Sequence, residues 1–237
     1  MLEAIGLTKD FGTHRALDSL DLRVDPGEIV CLLGANGAGK TTTINLFLGF
    51  LEPSAGEARV DGVDVRSDPV GTKRKLLYVP EQIALFGELT GVENFAYFAA
   101  LSGIEERPAS FLRQCLAQAG LPDAAMDRRA STYSKGMRQK VGLALAIAKQ
   151  ARTLLLDEPT SGLDPQASAE FHALIVRQRD AGAAVLMVTH DLFRAREVGN
   201  RIGLMREGRM RRMIAAADLT ASDLERLYLE EMGQVLA

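Results

Sequence analysis

The chain has 237 residues with 28 Lys and Arg against 31 Asp and Glu, and 47% of it is hydrophobic and 25% charged. This is the composition of a soluble globular protein rather than a disordered one, and the formal net charge of -3 argues against a basic nucleic-acid binder. Cys31 and Cys115 lack any C-x-x-C spacing, so they predict two reduced thiols rather than a disulfide framework or metal site.

The opening Met1-Leu2-Glu3-Ala4 has no basic region followed by an apolar core, and apolar runs such as 181–188 are too short to cross a bilayer. A role at a membrane therefore requires a span from another chain. Residues 2–7 and 15–24 alternate as antiparallel strands, and the turn Asp25-Pro26-Gly27-Glu28 delivers an apolar strand at 29–33. Directly after it stands Gly34-Ala35-Asn36-Gly37-Ala38-Gly39-Lys40-Thr41, which fills every position of G-x-x-x-x-G-K-[ST] between a strand and a helix at 41–48. In that geometry glycines let backbone N–H groups converge on phosphate oxygens at a helix N-terminus, where orphan donors and the macrodipole favour negative charge. A nucleoside triphosphate site is predicted, with Lys40 reaching the β- and γ-phosphates, Thr41 ligating Mg²⁺ and Thr42 beside the phosphates.

Residues 57–60 and 63–65 flank a tight turn at Asp61-Gly62, and 75–79 reads as a core strand. Helices then take over: Thr90-Gly91-Val92-Glu93 is a capping box opening 94–101, and 108–119 ends at Gly120. These mark a helical arm inserted at about 86–140, in which Val92, Phe95, Tyr97 and Phe98 are expected in the arm's core. Ser134 precedes a helix at 136–149, and short strands at 153–156 and 183–188 bracket a helix at 166–179. Strands alternating with helices imply an α/β fold with a mainly parallel core sheet and an N-terminal antiparallel β lobe. Leu154-Leu155-Leu156-Asp157-Glu158 presents two acids at a strand end, where ligands of open α/β sheets collect. Asp157 is assigned to Mg²⁺ and Glu158 to polarising the water that attacks the γ-phosphate. A basic cluster, Arg206, Arg209, Arg211 and Arg212, surrounds an expected hairpin turn at Glu207-Gly208; it reads as a solvated hairpin, the alternative being a place near anionic headgroups. Residues 220–232 suit an amphipathic helix with Leu224, Tyr228 and Met232 on one face, within a C-terminal extension of about 215–237.

With these motifs in this order, the sequence resembles the ATP-binding subunit of ABC transporters over nearly its whole length. The resemblance implies a single P-loop NTPase domain over 1–237. Tyr133-Ser134-Lys135-Gly136-Met137 stands where the family has LSGGQ; Tyr, Lys and Met replace Leu, Gly and Gln, while Ser134 and Gly136 are kept to offer a hydroxyl and backbone donors to the nucleotide of an opposite subunit. Ser161-Gly162-Leu163-Asp164 matches the D-loop, His190 the switch histidine that contacts the γ-phosphate, and Phe11 with neighbouring Ala16 the adenine-stacking position. In Tyr78-Val79-Pro80-Glu81-Gln82 the family's metal-contacting Gln after Pro is replaced by Glu81, and either Glu81 or Gln82 fits the role. The resemblance implies ATP and Mg²⁺ as cofactors and a head-to-tail dimer, with a second copy expected. It also implies a separate multi-pass transmembrane permease of exporter type, a cytoplasmic place on the membrane's inner face, and no nucleic-acid partner. The other reading is a soluble ABC ATPase acting on nucleic acid or ribosomes; the chain lacks the long coiled-coil insertion or second ATPase domain these use. The absence of N-K-x-D disfavours a GTPase.

Overall fold

The computed structural model describes residues 1–104 and 107–233, so the last four residues of the expected C-terminal extension lie outside the described residues. The chain begins with β1 (Leu2–Phe11), β2 (His14–Val24), β3 (Ile29–Leu33), α1 (Lys40–Phe47), β4 (Ala55–Val60), β5 (Val63–Asp64), α2 (Pro69–Lys75) and β6 (Leu76–Val79). A helical stretch follows, with α3 (Gly91–Leu101), α4 (Ala109–Gln118), α5 (Asp123–Met126) and α6 (Lys135–Lys149). The remainder is β7 (Thr153–Asp157), α7 (Pro165–Asp180), β8 (Ala184–Val188), α8 (Leu192–Val198), β9 (Arg201–Arg206), β10 (Arg209–Ala215) and α9 (Ala221–Met232). Two compact units result: residues 1–78, 152–158 and 179 onward, and residues 79–151 with 159–178.

The first unit holds both sheets. An antiparallel sheet has the order β2-β1-β4-β5, and the core sheet has the order β10-β9-β3-β8-β7-β6, parallel wherever β3, β7, β8 and β9 pair with one another. Every residue of β3 and of β8 is buried, as expected of strands covered on both faces, where an uninterrupted apolar run replaces alternation. One core joins Leu7 and Leu20 of the lobe to Val30, Leu32, Ile44, Phe47, Leu155 and Leu186. Val188 registers with Leu32 on one side and with Asp157 on the other. The chain therefore leaves β3 and β7 at the same carboxyl edge, so the glycine-rich loop and the two acids emerge there with β8 between their strands.

Strand β1 runs to Phe11, four residues beyond the alternation read from sequence. Two short helices were not anticipated. Asp68 caps α2 by accepting from Gly71 N–H at 2.8 Å, and Asp191 caps α8 by accepting from Arg194 N–H at 3.0 Å. Each spans only seven residues, too few turns to display an apolar period, so the local signals are the side-chain caps and, for α2, Pro69 in its first turn.

The second unit is helical. The capping box forms as expected, with Glu93 N–H donating to Thr90 Oγ1 at 3.2 Å and Thr90 N–H donating to Glu93 Oε2 at 2.8 Å. Its core gathers Phe95, Leu112, Leu116, Met126 and Val141, and the buried Tyr133 hydroxyl donates to Ala125 C=O at 2.6 Å. Of the four residues expected in the core, Phe95 is fully buried, Val92 and Phe98 are half-buried, and Tyr97 is 45% exposed. Tyr97 instead meets Phe86 edge-on at 5.0 Å and Phe98 at 5.3 Å in a surface aromatic cluster. Among the described residues no helix is long and apolar enough to cross a membrane. Cys31 and Cys115 are free and buried, and burial pushes the Cys31 thiol up to about 12.

Candidate functional site

The glycine-rich loop ends at Gly39, whose φ of +100° and tight surroundings exclude a side chain: a Cβ there would stand 2.8 Å from Ala16 C=O. No side chain caps α1, so its first N–H groups stay open for an anion. Lys40 is buried and its Nζ folds back to donate to the carbonyls of Gly34 at 2.6 Å and Ala35 at 3.1 Å. Burial lowers the pKa of this ammonium, while the carboxylates of Glu158 and Asp157 oppose the shift. A cavity of about 320 Å³ opens over the loop, lined by Asn36, Gly37, Ala38, Gly39, Lys40, Thr41 and Thr42 on one side and by Phe11, His14 and Ala16 on the other. Phe11 is 47% exposed, so it is not a core residue of the β lobe.

At the end of β7, Glu158 adopts the left-handed backbone conformation with φ of +47° while its N–H donates to Val188 C=O at 2.9 Å. Such a conformation in a residue with a full side chain is sparsely populated and is held by its surroundings. It turns the Glu158 carboxylate to within 2.9 Å of His190 Nδ1. The two residues assigned to catalysis from sequence are thus in direct contact.

Three side chains with evident roles were missed from sequence. The Tyr78 hydroxyl on β6 donates to the Asp157 carboxylate; burial first, then the Asp157 charge and this hydrogen bond, push the phenol up to about 12. His14 lies opposite Phe11 in the β1–β2 register and shares its cavity. Buried Gln139 on α6 donates from Nε2 to the carbonyls of Pro80 at 3.1 Å and Glu81 at 2.9 Å, which holds the backbone of the loop after β6. A polar tip on an otherwise apolar strand was the only sequence signal for Tyr78, and a lone Gln within a helix gave none.

The second unit carries the remaining candidates. Glu81 and Gln82 are exposed, and Glu81 Oε1 lies 3.4 Å from Lys135 Nζ. Ser134 Oγ caps α6 by accepting from Met137 N–H at 3.3 Å, next to buried Gly136. Asp164 Oδ1 accepts from Ala167 N–H at 2.8 Å, so one of its oxygens serves the start of α7. Both Ser134 and Asp164 therefore have a structural duty in addition to any contact with a ligand.

The family model described as ABC transporter matches residues 17–161, more than half of the chain, and so takes in the phosphate loop, Glu81 and Gln82, Ser134 to Gly136 and the paired acids. The chain belongs to the ABC transporter family. It is 37% identical over 210 residues to the daunorubicin/doxorubicin resistance ATP-binding protein DrrA of Streptomyces peucetius, covering 88% of this chain and 63% of that protein. This chain thus spans somewhat under two thirds of that relative's length. A solved ATP-binding subunit of an ABC transporter superposes with a TM-score of 0.84 at 30% identity, covering 97% of this chain and 98% of that one. The dimeric post-hydrolysis structure of the ATP-binding cassette MJ0796 bound to ADP and Pi superposes with a TM-score of 0.80 at 27% identity, covering 91% and 99%. These likenesses establish the ABC ATPase cassette fold, with its parallel-rich sheet, antiparallel lobe and helical insertion.

Proposed function

We propose that this ABC-family chain binds and hydrolyses ATP as one half of a head-to-tail dimer of two copies, and that the cycle drives export through a separate multi-pass permease. The observation that carries the reading is the contact between Glu158 and His190 at the sheet edge where Lys40 feels both acids. Phe11 stacks on the adenine with Ala16 beside it, and the loop from Gly34 to Thr42 wraps the phosphates. Glu158 takes the proton of the attacking water while His190 orients the γ-phosphate. Ser134, Lys135, Gly136 and Asp164 serve the nucleotide held by the partner copy.

Mg²⁺ fits the donor set, since Thr41 and Asp157 offer a hydroxyl and one carboxylate, and magnesium sites commonly add substrate phosphates to one or two carboxylates. When bound, the metal neutralises phosphate charge. Tyr78 holds Asp157 in place for it. Glu81 and Gln82 remain the two candidates for the metal-contacting residue that the family resemblance assigns after Pro80. Glu81→Gln is expected to change the Mg²⁺ dependence of hydrolysis more than Gln82→Ala, because it removes a negative charge beside the metal and the phosphates. The opposite ranking in Mg²⁺ titrations assigns the role to Gln82.

Phe11→Ala should weaken ATP binding by on the order of tenfold or more, the usual scale of lost base stacking. Unchanged affinity in a folded variant, measured by calorimetry, removes the stacking assignment. The permease reading is supported by the family membership and by the surface aromatics Phe86 and Tyr97, which suit a protein partner. It places the chain in the cytoplasm, on the inner face of the membrane, with no nucleic-acid partner. Export as the direction rests on the Tyr133–Met137 signature and on Glu81 after Pro80, which resemble the exporter-type branch, together with the likeness to a resistance ATP-binding protein. The test is to purify the tagged chain from gently solubilised membranes with ATP and Mg²⁺. A stoichiometric multi-pass membrane protein is expected, whereas ribosomes or DNA in its place would overturn the transport reading and favour a soluble ABC ATPase.

A further inference from the structure

The nucleotide cavity has two walls, the phosphate loop and the β1–β2 hairpin, and one residue outside both touches each. Gly208 donates its N–H to Ala38 C=O at 3.1 Å and accepts from Asp18 N–H at 2.9 Å. Its φ is +76°, and a Cβ on it would stand 2.9 Å from Ala16 C=O and 3.1 Å from Leu17 Cα. A Cβ on Gly39 would in turn stand 3.3 Å from Gly208 Cα. Three backbones meet there with no room for a methyl group, so the position of the β9–β10 turn sets the separation of the two walls.

The turn is itself held by α9. The basic cluster is engaged with carboxylates rather than left as a free cationic face: Arg212 Nε lies 2.5 Å and Arg211 Nε 3.7 Å from the Glu231 carboxylate, and Arg209 pairs with Asp18. Arg206, adjoining the turn, donates to Glu231 C=O at 2.9 Å. Buried Leu224 anchors the same helix. Tyr228 and Met232 of α9 share a cavity of about 300 Å³ with Ala35, Ala38 and Arg206, so the helix reaches the outer side of the phosphate loop.

We infer that Glu231, acting through the arginines of the β9–β10 hairpin and the backbone of Gly208, is a positioning residue of the nucleotide pocket, so that α9 tunes the affinity for ATP. This rests on the nucleotide reading of the cavity. Charge reversal at Glu231 replaces attraction to Arg211 and Arg212 with repulsion and loosens the turn. Because each pair is exposed and individually weak, Glu231→Arg is expected to raise KM for ATP by on the order of fivefold. The maximal rate at saturating ATP stays at the wild-type value, since no group in contact with the substrate has changed. Gly208→Ala should raise KM further, and Glu231→Arg combined with Arg212→Glu should recover most of the loss.

The experiment is steady-state hydrolysis against ATP concentration, with melting temperature measured in parallel. A raised KM restored by the charge swap supports the inference; a folded Glu231→Arg variant with wild-type KM overturns it. Should Gly208→Ala fail to fold, the Glu231 and Arg212 pair decides alone. Failure of the wild-type chain itself to bind ATP is a different result, and would overturn the nucleotide reading.

Discussion

Glu158→Gln is expected to lower ATP hydrolysis by about 10²–10⁴-fold, the contribution usual for a general base, while leaving ATP binding near the wild-type value. The carboxylate ends β7 in a left-handed conformation that points it at His190 Nδ1, 2.9 Å away. An amide of the same shape keeps that contact through its carbonyl oxygen but cannot accept the proton of the attacking water. Removal of one negative charge from the phosphate site should favour the bound triphosphate slightly, because like-charge repulsion falls. The variant should therefore accumulate as an ATP-bound dimer, seen as a shift in elution volume with ATP and absent with ADP. Normal turnover by the folded variant would show that the base lies elsewhere.

Lys40→Met removes binding itself. The Lys40 ammonium donates to the carbonyls of Gly34 and Ala35, within the loop that would hold the phosphates. Charge-assisted hydrogen bonds contribute about 1.5–3 kcal/mol each, so losing them to two phosphate groups should weaken ATP affinity by on the order of 100-fold or more. Hydrolysis should fall further, because the charge that develops on the phosphates loses its counter-ion. Arg is not a remedy, since the site is buried and fitted to a compact ammonium. Calorimetry with ATP and the ATP-dependent rise in melting temperature should both vanish, and retention of either would displace Lys40 from its role.

Much of this protein was legible before folding was considered, and the reason is locality. The glycine-rich loop, the capping box at Thr90 and Glu93, and the uninterrupted apolar runs that became β3, β7 and β8 each encode their conformation within a few residues. The acids at 157 and 158 were placed by the same rule, as the residues that follow a buried strand. Tyr97 was misread because an apolar period marks a helix face without stating how wide the neighbouring helices cover it.

Only the tertiary structure could decide what meets across the chain. Tyr78 reaches Asp157 because β6 lies beside β7 in the sheet, and His14 faces Phe11 because of the hairpin register. Gln139 holds the Pro80 and Glu81 carbonyls from 58 or more residues away, and Gly208 closes on Ala38 from a strand order that skips most of the sequence. A residue's neighbours at such separations are set by how strands cross over and how buried polar groups find partners, and neither is written in any short window. Sequence alone determined the family of chemistry and the phosphate loop that begins it. The folded chain decided which side chains hold that chemistry in position, because only there do the two walls of the pocket come within hydrogen-bonding distance of one glycine.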